Sequence, residues 1–91
     1  MKIIITSING ELLVNGLDDR SIPEFLEQLA SNAYSKRLST FNRVLDILYQ
    51  EVINFNNKHN YGFVVDCTAD SLSITIPEHT YTLLELKYSC N

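Results

Sequence analysis

Cys67, His79, Cys90 and His59 are the residues of this chain whose types could do chemistry, because neutral imidazole and thiolate are the ligands zinc takes. Zinc sites draw such ligands from closely spaced pairs, and these residues are scattered singly, so no metal is expected. A Cys–His nucleophilic pair meets a related objection. It needs an oriented base and an oxyanion donor, and no glycine-rich turn stands beside either cysteine. Glu78 and His79, in a turn after Pro77 and near Asp70 if a hairpin joins them, match a general acid and base in type. As turn residues they are expected to be solvated. Neither GxxxxGKS/T nor GxGxxG occurs, and three glycines leave little backbone that could approach a phosphate closely. No catalytic residue, metal or cofactor is therefore expected. A small enzyme would need an unrecognised site around Cys67, His79 and Cys90.

Composition narrows the field in the same direction. Ninety-one residues make one domain, large enough to bury a core without staples. Met1-Lys2 followed by Ile3-Ile4-Ile5 resembles the start of a signal peptide, but Thr6, Ser7 and Asn9-Gly10 end the apolar run early, so no export is expected. No stretch approaches the roughly 20 continuous apolar residues of a membrane span. Two cysteines so far apart read as reduced thiols in a cytoplasm, that of the host if the chain is phage-encoded. A formal charge of −4 with only seven basic side chains argues against direct nucleic-acid binding, which needs clustered Lys and Arg. A basic or neutral protein partner suits that charge better.

Local patterns supply the elements. KIIITSI and ELLV, joined by Asn9-Gly10, read as a β-hairpin with a two-residue turn, pairing Ser7 with Leu12, Ile5 with Val14, Ile8 with Glu11 and Thr6 with Leu13. Alternation puts Ile3, Ile5, Leu12 and Val14 on an apolar face. Ile4, Ile8 and Leu13 fall on the other, among Thr6, Glu11 and Asn15. Ser21-Ile22-Pro23-Glu24 has the form of a capping box opening a helix, with Glu24 and Glu27 near the positive end of its dipole. The stripe of that helix is Ile22, Phe25, Leu26, Leu29, Ala30 and Ala33, ending near Tyr34. A longer helix is expected over Leu38 to Lys58, with Leu38, Phe41, Leu45, Leu48, Val52 and Phe55 alternating at spacings of three and four and Val44 alongside. The stripes differ in phase, so a break is expected within Tyr34 to Ser39, with Ser35 or Ser39 capping the second helix. Lys36, Arg37 and Arg43 make a small basic group there, to be neutralised by Asp18, Asp19, Glu24 or Glu27 or used for docking. The asparagines of residues 56–60 should close the long helix in the left-handed conformation.

Three strands are expected next: Tyr61 to Cys67, Leu72 to Ile76, and Thr80 to Tyr88, the last with a short helix as its alternative. The order ββααβββ describes a two-layer α+β domain, an antiparallel sheet of about five strands with two helices on one face. The helices cover Ile3, Ile5, Leu12, Val14, Leu72, Ile74 and Ile76, and the other face is left open.

Function is expected on that open face. Its candidate protein-binding residues are Ile4, Ile8 and Leu13, joined by Val64 and by Tyr81 and Leu83 from the last strand, with the acidic stretch Asp18, Asp19, Glu24 and Glu27 as a second surface. The expected activity is that of a small acidic protein that binds another protein and modulates or inhibits it, as inhibitors, immunity proteins and phage anti-defence proteins such as anti-CRISPRs do. The alternative is a homodimeric structural or chaperone-like subunit that buries the same face against a second copy.

Overall fold

The computed structural model describes residues 1–16, 23–39 and 42–88. Lys2–Ile8 (β1) and Glu11–Gly16 (β2) form the hairpin in the register that Asn9-Gly10 implies, with Ser7 facing Leu12, Ile5 facing Val14, Thr6 facing Leu13 and Ile8 facing Glu11. Asn9 and Gly10 both take positive φ, 53° and 82°. That is the turn whose twist matches the right-handed twist of the strands it joins.

Two helices follow, Glu24–Arg37 (α1) and Val44–His59 (α2), then Val64–Cys67 (β3), Ser71–Thr75 (β4) and a third helix, Glu78–Tyr88 (α3). The sheet is antiparallel throughout, in the order β2-β1-β4-β3. Among the described residues the order is therefore ββααββα, with four strands and three helices where about five strands and two helices are expected. The class is the expected α+β, and the last segment takes the helix given above as the alternative to a strand. Thr80, Tyr81 and Leu84 are buried at helical spacing, Tyr81 N–H donates to the Pro77 carbonyl at 2.8 Å, and the Thr82 hydroxyl donates to Glu78 O at 3.1 Å. β4 is already flanked on both sides, by β1 and β3, and the buried side chains of α3 join the core instead of extending the sheet.

The core lies between the sheet and the helices. Ile3, Ile5, Leu72, Ile74 and Ile76 meet Phe25, Leu26, Leu29 and Ala33 of α1, Val44, Leu45, Leu48 and Val52 of α2, and Leu84 of α3, while Leu12 and Val14 are half-buried at its margin. One end is closed by rings. Phe25 stacks on Phe55 at 4.9 Å between centroids, Tyr61 on His59 at 5.0 Å, and Phe63 and Tyr88 complete the group. Such pairs contribute beyond the area they bury.

The helix boundaries depart from the pattern for local reasons. α2 begins at Val44, not Leu38, and Leu38 instead ends α1 as its C-cap, 91% exposed. Periodicity continues through the break, because Leu38 and Leu45 are spaced as one helix would space them although only Leu45 is buried. α1 runs past Tyr34 to Arg37, and the Ser39 hydroxyl donates back to Lys36 O at 2.9 Å, closing α1 instead of opening α2. Arg43 is the N-cap of α2, and Pro23 that of α1, neither with a side-chain cap bond. Ser21, Ile22 and Phe41, to which a cap and two core positions are assigned above, lie outside the described residues, as do Asp18, Asp19 and Cys90. Asn60 closes α2 at φ 55°, ψ 49°, the left-handed conformation expected of that asparagine run.

Candidate functional site

The register sorts every strand residue onto one of two faces. On the face away from the helices, Val64, Thr75 and Lys2 lie in one row, Asp66, Ser73, Ile4 and Asn15 in the next, then Ser71, Thr6 and Leu13, and finally Ile8 and Glu11 at the hairpin tip. Ile8 is 55%, Leu13 49% and Val64 59% exposed, and Ile4 is half-buried. Ile8 and Leu13 are diagonal neighbours on β1 and β2, close enough for their side chains to form one apolar spot. A shallow groove of about 280 Å³ runs beside it, lined by Ile8, Asn9, Glu11, Leu12 and Leu13. Between that spot and Val64 lies a band of hydroxyls, Thr6, Ser71, Ser73 and Thr75, with Lys2, Glu11 and Asp66 supplying charge at its margins.

Ile4, Ile8 and Leu13 thus share a face as the hairpin register requires, but Tyr81 and Leu83 do not join them. Both are on α3. Tyr81 is buried, its hydroxyl donating to Glu85 Oε1 at 3.3 Å, and Leu83 is exposed on that helix, not on the sheet. Glu24 and Glu27 are exposed in the first turn of α1, where they face the positive end of its dipole.

The basic group divides into separate anchors. Lys36 pairs with Glu51, joining α1 to α2. Arg37 Nη1 donates to the Gly10 carbonyl at 3.1 Å, tying α1 to the hairpin tip. Arg43 grips Asp46 through two bonds of 3.1 Å and reaches Ala69 O at 2.8 Å, fastening the start of α2 to the β3–β4 turn. None of the three takes its hydrogen bond or ion pair from Glu24 or Glu27. The bond from Asp46, and then its charge, raise the Arg43 guanidinium above its ordinary value.

The candidate chemistry is dispersed in the same way. Asp70 and His79 lie before and after β4, at its opposite ends, so they do not form an acid–base pair. Cys67 ends β3 at the turn, whereas His59 and Tyr61 stack at the other end of the sheet. The Cys67 thiol is pushed up by burial first and by Asp46 second, with Arg43 opposing, which reduces its thiolate fraction and works against a nucleophile. Among the described residues no group of three or more His, Cys, Asp and Glu is placed to hold a metal ion.

A larger cleft, about 510 Å³, opens along α2 beside Lys36, Asp46, Ile47, Tyr49, Gln50, Glu51 and Asn54. Its charges are already engaged, Glu51 by Lys36 and Asp46 by Arg43. The helix junction consequently reads as a structural seam. Among the described residues no helix is long and apolar enough to cross a membrane. Compared with protein-family models, with curated proteins and with solved structures, the chain finds no match in any of the three.

Proposed function

We propose that this is a small acidic, non-enzymatic protein that acts by binding another protein through the uncovered face of its sheet. One observation carries the reading: the helices all lie on one side, and the side they leave open keeps Ile8 and Leu13 together at the hairpin tip, with Ile4 and a hydroxyl band beside them. Apolar anchors ringed by polar groups are the usual composition of an interface core and rim. The mild negative charge suits a neutral or basic partner. An inhibitor, an immunity protein or a phage anti-defence protein needs no more equipment than this.

Affinity purification of the tagged protein from its native host, run beside Leu13→Glu, tests the reading. The expected result is a stoichiometric partner held by the parent chain and lost by the variant, with the thermal midpoint of the variant nearly unchanged. A partner retained equally by Leu13→Glu would refute the assignment of the face. Light scattering provides the contrasting outcome: a stable dimer dissociated by Leu13→Glu would mean that a second copy covers this face.

A further inference from the structure

β3 ends the sheet, and the hydrogen-bond phase of its hairpin determines what it presents there. Thr68 and Ser71 flank the turn residues Ala69 and Asp70, and Thr68 N–H donates to Ser71 O at 2.8 Å. Bonded and non-bonded pairs alternate in an antiparallel ladder, so Asp66–Ser73 and Val64–Thr75 are bonded pairs. Val65 and Cys67 therefore turn their N–H and C=O groups away from β4. The far side of β4 has the matching phase: Ile76 N–H donates to Met1 O at 2.7 Å and the Met1 amino group donates to Ile76 O at 2.8 Å. Phe63 N–H, just before the strand, is taken by Asn56 Oδ1 at 3.0 Å. Among the described residues nothing bonds to the outward groups of Val65 and Cys67.

The opposite edge is built differently. On β2 the outward N–H of Leu12 donates to the Tyr34 hydroxyl at 2.8 Å, and Arg37 occupies the Gly10 carbonyl beside it. α1 thus guards one end of that edge; on the other side Asn56 of α2 takes Phe63 N–H before the strand, but among the described residues no helix bonds to Val64–Cys67. β3 is short and carries Asp66, features that discourage indiscriminate strand addition, so a strand added there must complement that charge.

We propose that the β3 edge receives an extended segment of a partner protein bearing Lys or Arg, added as a further strand beside Val64–Cys67. This rests on the protein-binding reading above and goes beyond it in naming the mode of contact and the partner's chemistry. Asp66 is exposed on the open face at the middle of the edge and the whole chain carries −4, whereas Asp70 in the adjoining turn is already faced by Arg43. A second copy is the poorer occupant. Two-fold pairing centred on Val65 or on Cys67 would call on Phe63 N–H or Ala69 O, which Asn56 and Arg43 occupy. The pairing that uses every outward group of both residues, Val65 against Cys67 of the other chain, sets Asp66 directly opposite its own counterpart, where like charges repel. The same carboxylate attracts a cation at that position. Strand addition then calls for a basic residue opposite Asp66, flanked by apolar residues opposite Val65 and Cys67 on the helix side.

Val65→Pro is a selective probe, because proline is tolerated on an edge strand where its missing N–H faces outward, so the β3–β4 ladder survives. Short random peptides displayed on phage are selected against the parent protein and then measured individually against the parent, Val65→Pro, Cys67→Pro and Leu13→Glu. The expected peptides alternate Lys or Arg with β-branched residues, weaken as salt is raised, and lose roughly tenfold in affinity for Val65→Pro, the worth of about one main-chain hydrogen bond. Cys67→Pro should act likewise, and equal thermal midpoints establish that both variants are folded. Peptides that bind Val65→Pro as tightly as the parent, peptides without basic residues, or no enriched peptide at all would overturn the edge proposal. Peptides lost only by Leu13→Glu would overturn it while leaving the open-face reading intact.

Discussion

The hydroxyl of Tyr34 accepts a hydrogen bond from the backbone N–H of Leu12 at 2.8 Å, joining α1 to the outer edge of β2 in a partly buried setting. Edge groups of this kind are commonly left to water. Here a phenol held by a helix takes one of them.

Tyr34→Phe should therefore destabilise the fold by ~0.5–1.5 kcal/mol, the usual net worth of such a bond. Chemical denaturation measures the loss, and hydrogen exchange at the Leu12 amide should quicken at the same time. An unchanged exchange rate at Leu12 would mean that the bond is not held in solution.

Leu48 is fully buried where α2 crosses the sheet. Leu48→Ala is expected to cost ~2–5 kcal/mol in denaturant unfolding, as emptied core leucine sites do. A cost under about 0.5 kcal/mol would move α2 from the core to an interface.

Gly10 sits at φ 82°, and a Cβ built there would lie 3.1 Å from Arg37 Nη2. The guanidinium is the far end of a flexible side chain and can withdraw, whereas the backbone cannot leave the turn. Gly10→Ala should accordingly lose about 1 kcal/mol or more through its positive φ. The loss should be nearly the same in an Arg37→Ala background. If Arg37→Ala abolished most of the cost, contact with the side chain and not backbone conformation would be its origin.

Cys67, its thiol raised by burial and by Asp46, should alkylate more slowly than an unhindered cysteine at about pH 8, with its rate rising at higher pH than usual. The sign follows from the thiolate being the reacting species. Asp46→Asn removes the repelling charge and releases Arg43, so it should lower the midpoint of the pH–rate profile and speed the reaction. Measured in a Cys90→Ser background, a rate unchanged by Asp46→Asn would contradict this account.

The hairpin and its register were legible because Asn9-Gly10 admits one two-residue turn and alternation does the rest, which also put Ile4, Ile8 and Leu13 on one face. The buried stripe of α2 was legible for the complementary reason that Leu45, Leu48 and Val52 recur at helical spacing. α3 was not. Leu83 and Leu86 are 54% and 71% exposed, so apolar residues occur on both sides of that helix and blur its period until it reads as a strand. Tyr81 was misplaced with it. Arg43 and Asp46 are three residues apart and their pairing was open to a sequence reading, but the anchoring of Lys36, Arg37 and Arg43 to other elements was not, since Glu51, the Gly10 carbonyl and Ala69 O are brought near only by tertiary packing.

The strand order carries a consequence for how the chain reaches this state. β1 pairs with β2 across a two-residue turn but also with β4, where Lys2 meets Thr75 and Thr6 meets Ser71. The hairpin is local and quick to form, whereas the second pairing must close a loop containing α1 and α2 and the strand β3. Until it does, β1 is itself a bare edge, displaying Ile3 and Ile5 beside unpaired backbone, so the middle of the native sheet is the stickiest part of the unfinished one.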